Sequence, residues 1–224
     1  MQLALYLSIM DTPRDYTPFD RLLLNVDQTV RTLFGRPQVT ERPNPAEGVE
    51  EADLTEDQRD HVARLMRIDH TGEVCAQALY QGQALTARLP EVRDKMERAA
   101  REENDHLAWC DTRLQELHDH KSYLNPFWYL GSLAIGAAAG LAGDKWSLGF
   151  VAETERQVEK HLEEHLAQIP PQDQKSRAIL EQMKDDEMRH AQMAKSAGGA
   201  ELPEPVKLAM RFSSKVMTNT VHWL

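Results

Sequence analysis

Apolar side chains recur at intervals of three or four residues along most of the chain, the spacing that gathers them on one face of an α-helix. The pattern predicts a short helix over residues 18–34, four long helices over about 55–88, 90–118, 145–168 and 172–196, and a last helix over 205–221. No alternation of period two runs long enough to predict a strand. The sequence therefore predicts an all-α fold dominated by two pairs of long helices.

Local signals mark where the long helices begin and end. Residues Thr55–Gln58 form a capping-box pattern that starts the first of them, and Pro90 suits the first turn of the second. Pro170–Pro171 ends the third. The stretch before the first long helix carries three prolines and many acidic residues, which is typical of a linker. We divide the chain into an N-terminal extension, short helix and linker over 1–54, and a helical bundle over 55–224.

The two helix pairs are separated by an apolar insertion at about residues 123–144. Phe127–Gly143 holds 17 residues without a charge and is rich in Gly and Ala. A membrane-spanning helix needs about 20 apolar residues, so the segment is marginal as a span. It is either a fifth buried helix that crosses between the pairs, or a helix that rests in the membrane interface and opens an apolar path into the bundle. The two interpretations are compatible.

Each of the four long helices carries a glutamate on the stripe that should face the core, and in two helices a histidine follows it at i+3. These candidate ligands are Glu73, Glu103, His106, Glu155, Glu187 and His190. A buried carboxylate without a partner costs several kcal/mol, and four together repel one another strongly. Two divalent cations supply the compensating charge. Carboxylate and imidazole ligands without thiolate favour iron or manganese over structural zinc.

The same ligand pattern occurs in both halves of the chain. Glu73 precedes Glu103 by 30 residues, and Glu155 precedes Glu187 by 32. One Glu from each of two helices and Glu-x-x-His from the other two is the ligand set of ferritin-like bundles with two metal ions. The sequence therefore predicts a ferritin-like four-helix bundle around a di-iron centre, with short flanking helices.

Several neighbouring residues have two interpretations each. Asp69 and Asp186 either orient a ligand histidine or are surface acids. His161 either acts at the site, by a hydrogen bond or by carrying a proton, or simply packs. His70 and His165 are expected to be structural or exposed, and Cys75, Cys110 and Tyr80 are expected to fill the core rather than to act as redox partners.

Composition narrows the function further. The net charge is −10 with no basic stripe, which argues against nucleic-acid binding. The two cysteines form no CxxC pair and are expected to be reduced thiols of a cytoplasmic protein. Met1–Met10 lacks the basic start of a secretory signal, and Met10 is an alternative first residue. No GxGxxG or P-loop pattern occurs, so electrons are expected from outside the chain or from the substrate.

Five features together resemble one family. They are the runs RIDHTGE at 67–73 and EENDH at 102–106, the Gly/Ala-rich insertion, Glu155 followed by His161, and DEMRH at 186–190. In this order they resemble the demethoxyubiquinone hydroxylase family of ubiquinone biosynthesis. The resemblance covers the chain after about Asp20.

The resemblance implies a reaction and a setting. A di-iron centre held by the six candidate ligands, one glutamate bridging, uses O2 to hydroxylate the ring of a polyprenylated demethoxyquinol. The family is bound peripherally to the membrane, so a position on the cytoplasmic face of the inner membrane is expected. Partners are the quinol and O2, with a homo-oligomer or other ubiquinone-biosynthesis proteins as open possibilities.

Other functions share part of this pattern. A ferritin-like iron store has the ligands but no need of the apolar insertion. A rubrerythrin-like peroxidase needs a CxxC pair, which is absent. A non-enzymatic quinone-binding bundle at the membrane shares the apolar surface but needs no metal.

Overall fold

The computed structural model describes residues 17–35, 39–40 and 42–224. The described part of the chain contains seven helices and no strand. They are α1 (Pro18–Phe34), α2 (Glu56–Thr86), α3 (Pro90–Glu116), α4 (Asn125–Leu141), α5 (Asp144–Leu166), α6 (Gln174–Ser196) and α7 (Glu204–Val221). The predicted all-α fold is confirmed. The alternative start at Met10 lies outside the described residues.

The helix starts follow the capping signals in the sequence. The Thr55 side chain accepts the backbone N–H of Gln58, and the Gln58 side chain accepts the N–H of Thr55, so the predicted capping box starts α2. The Asp173 side chain accepts from the backbone N–H of Ser176 at the start of α6. These bonds satisfy amide groups that have no partner within their helix.

The four long helices form the predicted ferritin-like bundle. α2 packs along α3, and α5 packs along α6. The two pairs meet where α3 contacts α6 and α2 contacts α5. Two large apolar clusters fill the interior: one includes Met66, Leu114 and Leu180, and the other includes Met96 and Val151. A third, smaller cluster contains Tyr129 of α4 and residues of α2 and α3. The glutamates lie between the two large clusters in the sequence of every long helix, so the polar layer is enclosed by apolar residues along the bundle.

The apolar insertion forms α4, which packs closely along α2. Added Cβ atoms at Gly82 and Gly136 would clash with the backbone of the facing helix, so these glycines allow the two backbones to touch. Tyr129 is fully buried on the same face, whereas Phe127 and Leu130 on the opposite face are 68% and 61% exposed. The insertion is therefore a fifth packed helix that leaves an apolar face uncovered.

The flanking helices add further exposed apolar residues. On α1, Leu23, Val26 and Val30 are each about half exposed. The Thr29 hydroxyl of α1 lies 3.0 Å from the Tyr129 hydroxyl, which ties α1 to α4. Within the part of the chain that the structure describes, no helix combines the length and apolar character that crossing a membrane requires.

Candidate metal centre

The structure brings all six predicted ligands together in the middle of the bundle. They are nearly or completely buried, between 0% and 4% exposed. Their donor atoms form two groups whose members lie within 4.8 Å of one another. The groups are Glu73, Glu103, His106 and Glu187, and Glu103, Glu155, Glu187 and His190. Glu103 and Glu187 belong to both groups and so lie at the centre of the layer.

The four carboxylates are not satisfied by protein donors. Among the described residues, one oxygen of each has no aligned hydrogen-bond partner: Glu73 Oε2, Glu103 Oε1, Glu155 Oε2 and Glu187 Oε1. A buried carboxylate oxygen without a donor is costly, and proteins compensate it with protons or cations. Four such oxygens in one enclosed layer fit the donor set of a metal centre.

The electrostatics of the layer lead to the same conclusion. Burial and the neighbouring carboxylate of Glu103 raise the pKa of Glu73 well above its usual value, and burial and the carboxylate of Glu187 do the same to Glu155. Burial alone would lower the pKa of His106, but the adjacent carboxylates raise it well above its ordinary value. These raised pKa values mean that bound protons offset part of the negative charge of the four carboxylates. Metal ions would replace those protons.

Each histidine turns Nδ1 toward the glutamates and Nε2 toward a different acid. His106 Nδ1 lies 3.0 Å from Glu103 Oε2 and 3.2 Å from Glu187 Oε1, and its Nε2 lies 2.9 Å from Asp186 Oδ2. His190 Nδ1 lies 3.3 Å from both Glu103 and Glu187. An acid on the outer nitrogen fixes the tautomer that keeps the inner nitrogen free for a metal.

The supporting acids are exchanged between the two halves of the bundle. Asp186, which precedes Glu187 on α6, supports His106 on α3. Glu102, which precedes Glu103 on α3, lies 2.7 Å from His190 Nε2 on α6. The structure places Asp186 against a candidate ligand histidine, which fits the interpretation that it orients one, and this histidine belongs to the other motif. Glu102 was missed, and its signal is the acid placed directly before the glutamate in both motifs.

The linker before α2 adds a cation to this network. Arg42 donates to Asp105 Oδ2 at 2.6 Å and to Asp186 Oδ2 at 2.7 Å. Both aspartates have fully buried side chains. Nothing in the sequence pattern singled out Arg42, because its partners lie 63 and 144 residues away along the chain. Arg42 of the linker thus connects α3 to α6 beside His106.

A tyrosine and a narrow pocket lie at the other edge of the layer. The buried Tyr80 hydroxyl donates to Glu155 Oε1. Tyr80 was expected only to fill the core, and it also contacts a candidate ligand. Ala76, Tyr80, Val151 and Glu155 line the pocket between α2 and α5. The pocket therefore reaches the candidate ligand Glu155 from the contact between α2 and α5.

The remaining candidates fall outside the metal layer. Asp69, His161 and His165 form a separate group between α2 and α5. Asp69 therefore does not contact His106 or His190, and His165 is buried rather than exposed. Burial lowers the pKa of His70 to about 3, so this histidine is neutral, as a structural residue should be. Both cysteines lie in the described part of the chain and are free thiols: Cys75 is half-buried and Cys110 is buried.

Comparison with known proteins adds the family context. The sequence model described as "Ubiquinone biosynthesis protein COQ7" matches residues 60–221. The chain is 61% identical to a 3-demethoxyubiquinol 3-hydroxylase of Nitrosococcus oceani over 94% of this chain and 99% of the relative. It is 59% identical to that of Pseudomonas putida (95% and 99% covered) and 58% identical to that of Acinetobacter baumannii (94% and 100% covered). The similarity therefore includes the whole of the buried layer of candidate ligands.

Proposed function

Because the chain belongs to the family of the ubiquinone biosynthesis protein COQ7, we propose that it hydroxylates the ring of a polyprenylated demethoxyubiquinol with O2. One observation carries the proposal: a sealed layer of four glutamates and two histidines in a chain similar over nearly its full length to 3-demethoxyubiquinol 3-hydroxylases. This activity is a step of ubiquinone biosynthesis.

The metal centre in this proposal consists of two iron ions. Glu73, Glu103, His106 and Glu187 would hold one ion, and Glu103, Glu155, Glu187 and His190 would hold the other. Glu103 and Glu187 are the residues that both donor groups share. When bound, such a centre would offer open coordination positions for O2 and would relay to it the two electrons that hydroxylation needs, which come from outside the chain or from the quinol. Oxygen and nitrogen donors without thiolate are the ligands that this chemistry uses.

The protein's own residues orient the ligands and exclude water. The outer Nε2 protons of His106 and His190 are held by Asp186 and Glu102, so both inner nitrogens remain available. The apolar clusters above and below the layer keep water away, which protects reactive species from side reactions. The Tyr80 hydroxyl donates a hydrogen bond to Glu155 at the edge of the layer that the pocket reaches.

The pocket between α2 and α5 is the route we propose for the quinol ring. Its lining mixes apolar residues with polar ones and ends at Glu155; the others are Ala76, Leu79, Tyr80, Gln83, Phe150, Val151 and Thr154. The pocket is too small for a water molecule in this structure, so a ring enters only if Tyr80 or the side chains of α5 move aside. A substrate with a long isoprenoid tail also needs an apolar surface outside the bundle.

The exposed apolar faces of α1, α4 and α7 are the membrane-contacting surface in this proposal. Their exposed apolar residues include Leu23, Val26, Val30, Phe127, Leu130, Ile135, Leu208, Phe212 and Val216. A large exposed apolar area is typical of a protein or membrane contact site. We propose a peripheral position on the cytoplasmic face of the inner membrane, where the quinol is dissolved. A ferritin-like iron store has no use for such a surface.

Replacing Glu187 with Ala tests the hydroxylase against a quinone-binding bundle without enzymatic activity. The expected result is loss of hydroxylation with retained quinone binding, because the variant removes a ligand shared by both ions. The measurement is the quinone profile of cells in which the variant replaces the normal chain, and accumulated demethoxyubiquinone is expected. Glu181→Ala is the matched control, since Glu181 is exposed on the same helix. Normal ubiquinone in the Glu187→Ala cells would contradict the proposal.

A further inference from the structure

A second group of metal-ligating side chains lies between α2 and α5, apart from the di-iron layer. It consists of Asp69, His161 and His165, whose donor atoms lie within 4.8 Å of one another. Asp69 is one helical turn before Glu73, and the two histidines are one turn apart, on the C-terminal side of Glu155. No residue is shared between this group and the metal layer.

The polar atoms of this group are buried without satisfied hydrogen bonds. Asp69 and His165 are each 3% exposed. Among the described residues, both oxygens of Asp69, His165 Nδ1 and His161 Nε2 have no aligned hydrogen-bond partner. Buried polar atoms in native proteins are rarely left in this condition, so four in one place require an explanation.

The closest approach within the group is not a normal hydrogen bond. Asp69 Oδ1 and His165 Nδ1 lie 2.8 Å apart, yet the ring N–H is not aligned with the carboxylate. The rings of His161 and His165 approach with centroids 4.0 Å apart and planes tilted by 55°. Three donor groups that lie this close together without aligned hydrogen bonds fit the ligand set of a metal ion.

We propose that Asp69, His161 and His165 bind a third metal ion, a divalent first-row transition ion such as Fe2+ or Zn2+. Two imidazoles and one carboxylate with further positions open to water is a known ligand set for such ions. Metal–ligand bonds of about 2.1 Å place two donors of one ion at most about 4.2 Å apart. Small side-chain rotations therefore bring this group into coordinating range.

The protonation and exposure of His161 suit a cation. Burial and the neighbouring ring of His165 lower the pKa of His161, which keeps it in the neutral form that binds metal. The Asp69 carboxylate outweighs burial and raises the pKa of His165, so an ion bound there displaces a proton from this ring. His161 is only partly buried, so an ion can reach the group from its side of α5. The apolar neighbours Leu162 and Leu166 on the same helix close the group from the bundle interior.

The test is the number of ions bound by the metal-free full-length chain. The chain is titrated anaerobically with Co2+, followed by its visible absorption, and bound cobalt is counted by elemental analysis after gel filtration. The normal chain is expected to bind three ions. Asp69→Asn and the double variant His161→Gln/His165→Gln are expected to bind two. Glu103→Gln/Glu187→Gln is expected to retain one.

Matched controls separate ion binding from folding. His70→Gln replaces a buried histidine of α2 outside the group and should still bind three ions. If the variants of the group do not fold, as judged by circular dichroism, the counts for the normal chain and for Glu103→Gln/Glu187→Gln decide. Two ions on the normal chain, or none on Glu103→Gln/Glu187→Gln, would show that Asp69 and His165 form only an ion pair. Failure of the di-iron assignment is distinct, because Glu103→Gln/Glu187→Gln would then bind as many ions as the normal chain.

Discussion

The exchange of supporting acids between the two motifs predicts that Asp186→Asn weakens the metal centre without touching a ligand. Asp186 Oδ2 contacts His106 Nε2 at 2.9 Å and Arg42 Nη1 at 2.7 Å, while Gln182 donates to Oδ1 at 2.9 Å. Every neighbour of this carboxylate is therefore a donor. An asparagine must point its own amide hydrogens at one of these donors, whichever way its side chain is turned.

The expected loss follows from this geometry. Removing an acid that supports a ligand histidine typically weakens metal binding by about 10–100-fold. That corresponds to about 1.4–2.8 kcal/mol. Asp186 is fully buried, and the donor conflict adds to the lost charge, so we expect the upper half of this range. Glu102→Gln should have a smaller effect at His190, because the Glu102 side chain is 19% exposed and water can replace it.

The assay is competition for Fe2+ or Co2+ between the chain and a coloured chelator. Asp185→Asn is the control, since Asp185 is exposed one residue earlier on α6 and should leave the affinity unchanged. Native circular dichroism combined with an Asp186→Asn affinity within about twofold of normal would refute the role assigned to this acid. Equal losses in Asp186→Asn and Asp185→Asn would refute it as well.

Two further changes test the packing that supports the site. Gly82→Ala places a Cβ against the carbonyl oxygen of Leu133 and should destabilise the chain by about 1–3 kcal/mol in urea unfolding. Gly72→Ala, with nothing within 4 Å of the added Cβ, should instead stabilise it by about 0.5–1 kcal/mol; equal effects would exclude a special role of the α2–α4 contact. Arg42→Gln removes the arginine that pairs with the buried Asp105 and one of the two arginines that pair with the buried Asp186, and it should cost about 3 kcal/mol by the same measurement. A loss below about 1 kcal/mol would show that water reaches the two aspartates.

Local sequence signals were sufficient for the helices and for the candidate ligands. The capping box at Thr55 and the prolines at 90 and 170–171 act within a few residues, so they fix helix ends whatever the rest of the chain does. The six ligand candidates could be found because each helix must carry its glutamate on the apolar stripe. Their role as iron ligands stays a prediction, and their common location in the structure supports it.

Contacts between distant segments could not be found in the same way. The pairing of Asp186 with His106 spans 80 residues, and that of Glu102 with His190 spans 88. Helical spacing relates a residue only to neighbours three or four positions away. It therefore does not identify which histidine Asp186 contacts. Which face of α3 meets which face of α6 is decided by the packing of the whole bundle.

The bundle is asymmetric around a nearly symmetric metal layer, and this asymmetry bears on its function. Asp186 and Glu102 support the two histidines in the same way, but only the Asp186 side is clamped by Arg42. On the opposite edge, Glu155 is contacted by Tyr80 and the narrow pocket instead of by a cation. In the proposed function, the side with Arg42 holds the ligands firmly, and the side with Tyr80 opens for the ring when its side chains move. Substrate access is thereby separated, in this proposal, from the positioning of ligands within one layer of residues.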